Sequence, residues 1–501
     1  MVKANFEGRR VAKNTLLLYF RMLVSMLILL YSSRVILNRL GVEDFGIYTI
    51  VAGVLTLLLF VSNSINGASV RFICAYEKEE NPTIFSSIFF IHLIFSLLVV
   101  VLGETIGLWI IKNKLNISPN RVQEAVTLFH YVILTSITTF LYSPYNSLII
   151  AKEQFKPFAI IDILNVVLKL LAALSLSYFS EKRLVYYGKF LFLVSFITFL
   201  CYFFYCYRNI PESRLRPTLS KEKVRAVGRF AAIDLYGNMS TVGMIQGVNL
   251  LINLFFGTLV NAAYGVSLQV QAAVMAFSIN IQTALKPQII KSYTEQNIQK
   301  FTFLIESGLK YTTLLLYIIS LPLILRIDYI LSLWLGDVPE YTAQFVSCML
   351  IANIGSSLTN VLSMAIHGVG DIRRLSFING TLYLLVIPTT YLAFRLGMEP
   401  IFPFVFNIVI VFLAFASNCY TIKLLVEKIQ ILKILKCSLI PLIKLIVVTF
   451  PIIFVIARFL NKTFVDLLLL SLISTLIIVL VSWFTVLNRD IKQEIMARWN
   501  F

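Results

Sequence analysis

Arg39-Leu40-Gly41-Val42-Glu43-Asp44-Phe45-Gly46-Ile47-Tyr48 joins two long apolar stretches, 15–37 and 47–69, through a turn that holds two glycines. Glycine lets a chain leave one helix and enter an antiparallel one within a few residues, because it adopts conformations closed to other side chains. A second joint of the same kind reads Leu254-Phe255-Phe256-Gly257-Thr258-Leu259-Val260-Asn261-Ala262-Ala263-Tyr264. Gly41 and Gly257 are 216 residues apart, and so are Tyr48 and Tyr264. The sequence therefore reads as one unit written twice, with Gly41, Gly46 and Gly257 as its hinge residues.

The chain around these joints has 501 residues, 58% of them hydrophobic and only 14% charged. That is more apolar side chain than a water-exposed surface can hide. Apolar runs long enough to cross ~30 Å of hydrocarbon at ~1.5 Å per residue recur throughout. They place spans near 15–37, 47–69, 83–111, 122–150, 158–178 and 187–207, then 230–256, 263–285, 301–325, 341–366, 376–395 and 401–422, and finally 438–457 and 465–487. The first span follows Lys3, Arg9, Arg10 and Lys13 but is too long for a secretory leader and lacks a small-residue cleavage site, so it is expected to be retained.

The expectation is an all-α integral membrane protein of about fourteen transmembrane helices. A six-helix lobe (1–207) is followed by a basic linker (208–229), a second six-helix lobe (230–425), two extra helices (426–487) and an amphipathic tail (488–501). The copy relation extends to Ala151-Lys152-Glu153-Gln154-Phe155 after the fourth span and Gly368-Val369-Gly370-Asp371-Ile372 after the tenth, 217 residues apart. An even number of helices per copy makes both copies start on the same side, which implies a pseudo-two-fold axis along the membrane normal.

A net charge of +18 would suggest nucleic acid in a soluble protein, but here the basic residues fall between apolar runs, where anionic lipid headgroups lie. Seven of them crowd into 208–229. With the N-terminus inside, the inner segments hold 27 Lys and Arg against 10 outside, Arg395 at the outer end of its span included, which predicts cytoplasmic termini. The six cysteines form no CxxC pair and read as core residues. No GxxxxGK[ST], HExxH or other cofactor or metal signature occurs, and no segment outside the spans has room for a catalytic domain.

Ionisable groups inside spans are costly, at about 2.5–3.5 kcal/mol on the lenient scale, and face a bundle interior or a wet cavity. Asn14, Arg21, Ser25 and Ser32 fall within about 40° of one another on the first span at ~100° per residue. Asp162, Asn165 and Lys169 share one face of the fifth. Arg21 and Lys169 are the candidates for binding an anionic cargo. Arg34 is either a third member or a snorkelling anchor. Glu104 and Asp162 are candidates for ion coupling, while lone His92 reads as a packing residue.

The hinge Leu40–Tyr48 after an Arg-bearing helix resembles the opening signature of polysaccharide flippases in the multidrug, oligosaccharidyl-lipid and polysaccharide exporter superfamily. Ala151–Phe155 and Ile330-Leu331-Ser332-Leu333-Trp334-Leu335-Gly336 add to the likeness. The resemblance implies a MATE-like fold in a bacterial plasma membrane. It also implies export of undecaprenyl-diphosphate-linked O-antigen or capsule repeat units to the outer leaflet by alternating access, alongside membrane lipids and the polysaccharide polymerase machinery. A multidrug cation antiporter of the same fold, and a membrane glycosyltransferase or O-antigen polymerase, stay open as alternatives.

Overall fold

The computed structural model describes residues 2–40, 44, 47–48, 51, 65–75, 81–113, 121–179, 181–216, 220–335 and 338–486. The glycines Gly41 and Gly46, most of the second span and the tail 488–501 lie outside the described residues. All regular structure described is helical, as a chain whose backbone must satisfy its own hydrogen bonds in lipid requires. Twelve of the described helices are long and apolar enough to cross a membrane.

Residues 1–235 and 236–501 form two compact units. In the first, α1 (Val2–Leu40) is followed by a helical stretch α2 (65–75), α3 (Pro82–Asn113), α4 (Val122–Ala151), α5 (Phe155–Ser175) and α6 (Arg183–Asn209). Helix α4 packs between α6 and α3, α1 lies along α5, and α5 touches α6.

In the second unit, α7 (Lys221–Gly257, reaching back into the first), α8 (Ala263–Thr294), α9 (Ile298–Leu325) and a short α10 (Ile327–Leu335) precede α11 (Thr342–Val369), α12 (Arg373–Arg395) and α13 (Phe402–Leu425). Here α11 packs between α13 and α9, and α12 touches α13. Helix α7 lies along α12, with Gly237 against the Ser376 backbone and Gly247 against Ile387. Fourth on sixth, third on fourth, first on fifth and fifth on sixth: the same pairings hold in each unit.

Individual contacts repeat as well. Tyr48 meets the Tyr187 ring edge-on at 5.1 Å, and Tyr264 meets Phe404 at 5.5 Å. Tyr264 lies 216 residues after Tyr48, and Phe404 lies 217 after Tyr187. Glu153 (φ 58°) and Gly370 (φ 105°), also 217 apart, are both left-handed residues just beyond the ends of α4 and α11. Such a residue stops a helix by turning its last carbonyls toward capping N–H groups. Gly370 donates to the Ile366 carbonyl at 3.0 Å. Replacing Gly370 by Ala is expected to destabilise the fold by about 1 kcal/mol, since a Cβ disfavours that φ. Gly265→Ala, inside α8 where an added Cβ meets nothing within 4 Å, is expected to raise the melting temperature. Thermal unfolding of the two variants in detergent checks both.

At Gly257 the backbone leaves helical geometry (φ 80°, ψ −171°), and this break separates α7 from α8 where the second joint was expected. The span prolines Pro144, Pro322, Pro388, Pro441 and Pro451 all lie inside continuous helices. The basic stretch 208–229, expected as a linker, is helical from Lys221, where Ser220 accepts from the Lys223 N–H at 3.3 Å and starts α7. Its earlier part is tied to the first unit by Lys152 Nζ to Glu212 Oε1 at 2.6 Å and by the Arg216 N–H to Ser86 Oγ at 2.8 Å.

The extra helices α14 (Ile431–Phe459) and α15 (Phe464–Thr485) dock on α9. Tyr317 and Leu321 of α9 pack with Leu445, Ile453, Leu470 and Ile478, and the Tyr317 hydroxyl meets Thr449 Oγ1 at 2.9 Å. The corresponding helix of the first unit, α3, leaves Leu97, Leu98, Val101 and Ile106 exposed.

Candidate functional site

The polar groups of the first unit converge where α1 lies against α5. Phe158 and Asp162 are one turn apart on α5 and both face Arg21 of α1. The guanidinium stands over the Phe158 ring, 4.9 Å from its centroid, and Nη1 donates to Asp162 Oδ2 at 2.8 Å. The Arg21 and Asp162 side chains remain 20% and 35% exposed, so the pair is reachable from outside the protein interior.

One turn further along α5, Asn165 donates to Thr198 Oγ1 of α6 at 2.8 Å. Lys169 follows on the same face, within the electrostatic reach of Asp162. Tyr142 of α4 and Tyr202 of α6 stack at 5.4 Å with their rings 11° from parallel, and Asn146 donates to the Tyr202 hydroxyl at 3.0 Å. Both phenols lie in the field of Asp162, and Tyr202 also feels Arg21. Four helices thus contribute to one polar locus. Arg and Lys supply positive charge, Asp supplies a counter-charge, and amides, hydroxyls and flat rings surround them, a set suited to holding an anion and hydrogen-bonding groups beside it.

The sequence placed Arg21 among cargo binders and Asp162 among ion-coupling groups. The structure makes them partners. Nothing in spacing alone could show this, because 141 residues separate them and the pairing depends on how α1 lies against α5. Phe158, Tyr142, Asn146, Thr198 and Tyr202 were missed because uncharged aromatic, hydroxyl and amide side chains do not stand out in membrane helices as charges do.

Arg34 lies on α1, but its side chain is outside the described residues. Glu104 stands apart from the Arg21 locus on a π-helical turn of α3 (Gly103–Gly107), with its Oε2 3.4 Å from Nε2 of His130 on α4. His92 is fully buried, with Nδ1 3.0 Å from the Ile88 carbonyl and Nε2 3.4 Å from Asn66 Oδ1, a packing role. No cluster of metal-ligating side chains occurs among the described residues.

Comparison with known proteins bears on the whole architecture. The MatE family profile matches residues 238–392, and no curated protein sequence matches the chain. Among solved structures, one of MATE in the bent conformation superposes with a TM-score of 0.72 at 13% identity, over 84% of this chain and 96% of its own. The chain has the MATE fold. A MOP superfamily transporter from Pyrococcus furiosus gives 0.71 at 14% identity, covering 84% of this chain and 96% of its own. An outward-facing multidrug resistance MATE family transporter gives 0.69 at 14% identity, covering 84% and 97%. The MatE match over residues 238–392 marks a membrane transporter rather than an enzyme. The profile match runs from α7 to α12, so the charged locus on α1 and α5 lies in the part of this MATE-fold chain that the profile does not reach.

Proposed function

We propose that the chain translocates undecaprenyl-diphosphate-linked oligosaccharide repeat units from the inner to the outer leaflet of the bacterial plasma membrane by alternating access. The observation that carries this reading is an asymmetry between the two copies. By the offsets of the repeat, the positions of Arg21, Asp162 and Lys169 are held in the second unit by Gly237, Asn379 and Val386. There Gly237 packs on the Ser376 backbone, Asn379 bonds Asn418 at 3.1 Å, and Val386 is core. The α7–α12 seam therefore closes without any charge at these positions. Charges in the α1–α5 seam are not needed to assemble it, and intramembrane charge that packing does not require is retained for function.

The cations are suited to a diphosphate, since the guanidinium fork pairs with phosphate oxygens and Lys169 adds a point charge. The Arg21–Asp162 bond is the resting arrangement, which a more highly charged anion displaces. The stacked tyrosines and the amides are suited to sugar rings and hydroxyls. Membrane lipids and the polymerase that consumes the exported unit are the partners of this reading.

A multidrug cation antiporter of the same fold would use Asp162 to hold a cationic drug or ion, and its 35% exposure leaves that open to test. In this structure Arg21 already occupies the carboxylate. The Pyrococcus furiosus relative is described as having a binding pocket of reverse polarity that suggests a different function, which supports reading pocket charge as the variable that sets cargo within this fold.

Purified protein in liposomes with a fluorescent lipid-linked oligosaccharide decides between them. Protein-dependent access of the glycan to an external quencher is expected. Cation-for-proton exchange of drugs without glycan movement would replace this reading with the antiporter.

Both termini are placed in the cytoplasm, on the charge count of the connecting segments. An alkaline phosphatase fusion after Phe459 is expected to be active and one at the C-terminus inactive. The opposite pattern overturns the orientation.

A further inference from the structure

The second unit contains a cavity of about 380 Å³ where α9 ends against the connection between α14 and α15. Among the described residues its walls carry three cations, Arg326, Arg458 and Lys462, together with Asn461, and no carboxylate. Leu325, Phe454 and Leu460 supply an apolar side. Arg326 is held in place: its Nη2 donates to the carbonyls of Ala457 at 2.5 Å and Leu460 at 2.6 Å, orphan acceptors at the C-terminal end of α14. Its Nε is buried and makes no hydrogen bond. Arg458 lies over the Phe454 ring at 4.8 Å. None of the three has an ion-pair partner among the described residues, and the acid closest in sequence to Lys462, Asp466, is engaged with Thr463 at 2.7 Å.

Three like charges gathered around one cavity repel one another unless an anion joins them. The depth of the cavity says which kind. Helices α9 and α14 have 28 and 29 residues, about 42 Å of rise, so their ends lie past a ~30 Å hydrocarbon core. At that level the abundant anion is the phosphate of a lipid headgroup, with its glycerol and acyl chains on the apolar side.

We propose that this cavity is a binding site for the phosphate-bearing headgroup of a membrane lipid, with Arg458 and Lys462 as the exchangeable ligands and Arg326 as the fixed one. The site clamps α9 to the two extra helices and is separate from the Arg21 locus. It does not depend on which cargo the transporter carries.

The test uses the full-length chain in phosphatidylcholine nanodiscs, with phosphatidylglycerol titrated and bound lipid counted by native mass spectrometry. Arg326 also holds two carbonyls, so the informative variant is the double substitution Arg458→Gln with Lys462→Gln. Phosphatidylglycerol affinity is expected to fall about tenfold or more, the scale of one or two charge-assisted contacts. The control pair Lys428→Gln with Lys436→Gln, at the N-terminal end of α14 and so at the other end of that helix from the cavity, is expected to change it by less than about twofold. Equal affinity in the two double variants would overturn the site. Inorganic phosphate that displaces the lipid and binds as tightly on its own would overturn its assignment to a lipid.

Discussion

Arg21→Ala is expected to lower translocation of lipid-linked oligosaccharide by about 100-fold or more in liposomes, with the protein still inserted and folded. The magnitude follows from the contact removed. A charge-assisted hydrogen bond contributes about 1.5–3 kcal/mol, and a guanidinium fork on a phosphate makes two, which covers 2.7 kcal/mol or a factor of 100. The variant also leaves Asp162 without its 2.8 Å partner. Removing one member of a fully buried pair costs about 3–5 kcal/mol, and at 35% exposure Asp162 falls well below that range because solvent screens it. Fold and function separate in a second variant, Arg21→Gln with Asp162→Asn, which removes both charges. It is expected to recover yield and melting temperature but not transport, whereas Arg21→Lys retains part of the transport. Full-rate translocation by Arg21→Ala would show that Arg21 and Asp162 form a structural pair and no more.

That experiment bears on what a sequence of this kind can disclose. The hinge at Gly257, the helix ends at Ala151 and Val369 and the doubled packing were legible, because each is local: an apolar run sets a span, and a glycine or a left-handed residue stops it. The recurrence of Tyr48–Tyr187 as Tyr264–Phe404 could be located only once the partner helices were known, since it needs Tyr48 beside α6 and Tyr264 beside α13. The helix start at Lys221 inside the basic stretch was not legible, because a run of Lys and Arg looks like a solvated connection while a capped helix can carry the same charges on its exposed side.

For the site, composition singled out the ionisable residues inside spans but carried nothing about which of them meet. Arg21, Asp162 and Lys169 stood out because charge is rare in a span. Their division into cargo binders and coupling groups rested on charge sign alone, and the Arg21–Asp162 bond shows that sign does not separate roles when opposite charges share a seam. His130 had no signal at all. It matters only because a π-helical turn brings Glu104 to face it across two helices.

The Arg21–Asp162 bond also decides how membrane voltage should act on transport. An inside-negative potential contributes about 2.3 kcal/mol per charge per 100 mV, so a cargo with two diphosphate charges moves outward with about 4.6 kcal/mol at 100 mV, an accumulation ratio on the order of 10³. The protein's own charges return to their starting position at the end of a cycle and cancel from this total. They decide only how it is divided between the two half-steps. With Arg21 and Lys169 positive and Asp162 negative, the empty locus carries one net positive charge and the locus loaded with a doubly charged diphosphate carries one net negative charge. To the extent that the locus crosses the field with its cargo, outward movement when loaded and inward return when empty are then both downhill. Asp162→Asn shifts the two values to zero and two positive, so its loaded step becomes indifferent to voltage and all the dependence moves to the return. In liposomes clamped by potassium and valinomycin, the wild-type protein is expected to accumulate glycan in the outer leaflet in proportion to the imposed potential. In single-turnover flipping, the Asp162→Asn variant is expected to lose that dependence while its steady-state accumulation remains. Flipping by the wild-type protein that ignores both the potential and imposed proton or sodium gradients would refute electrically driven export and leave equilibration of the lipid between leaflets as the whole of the activity.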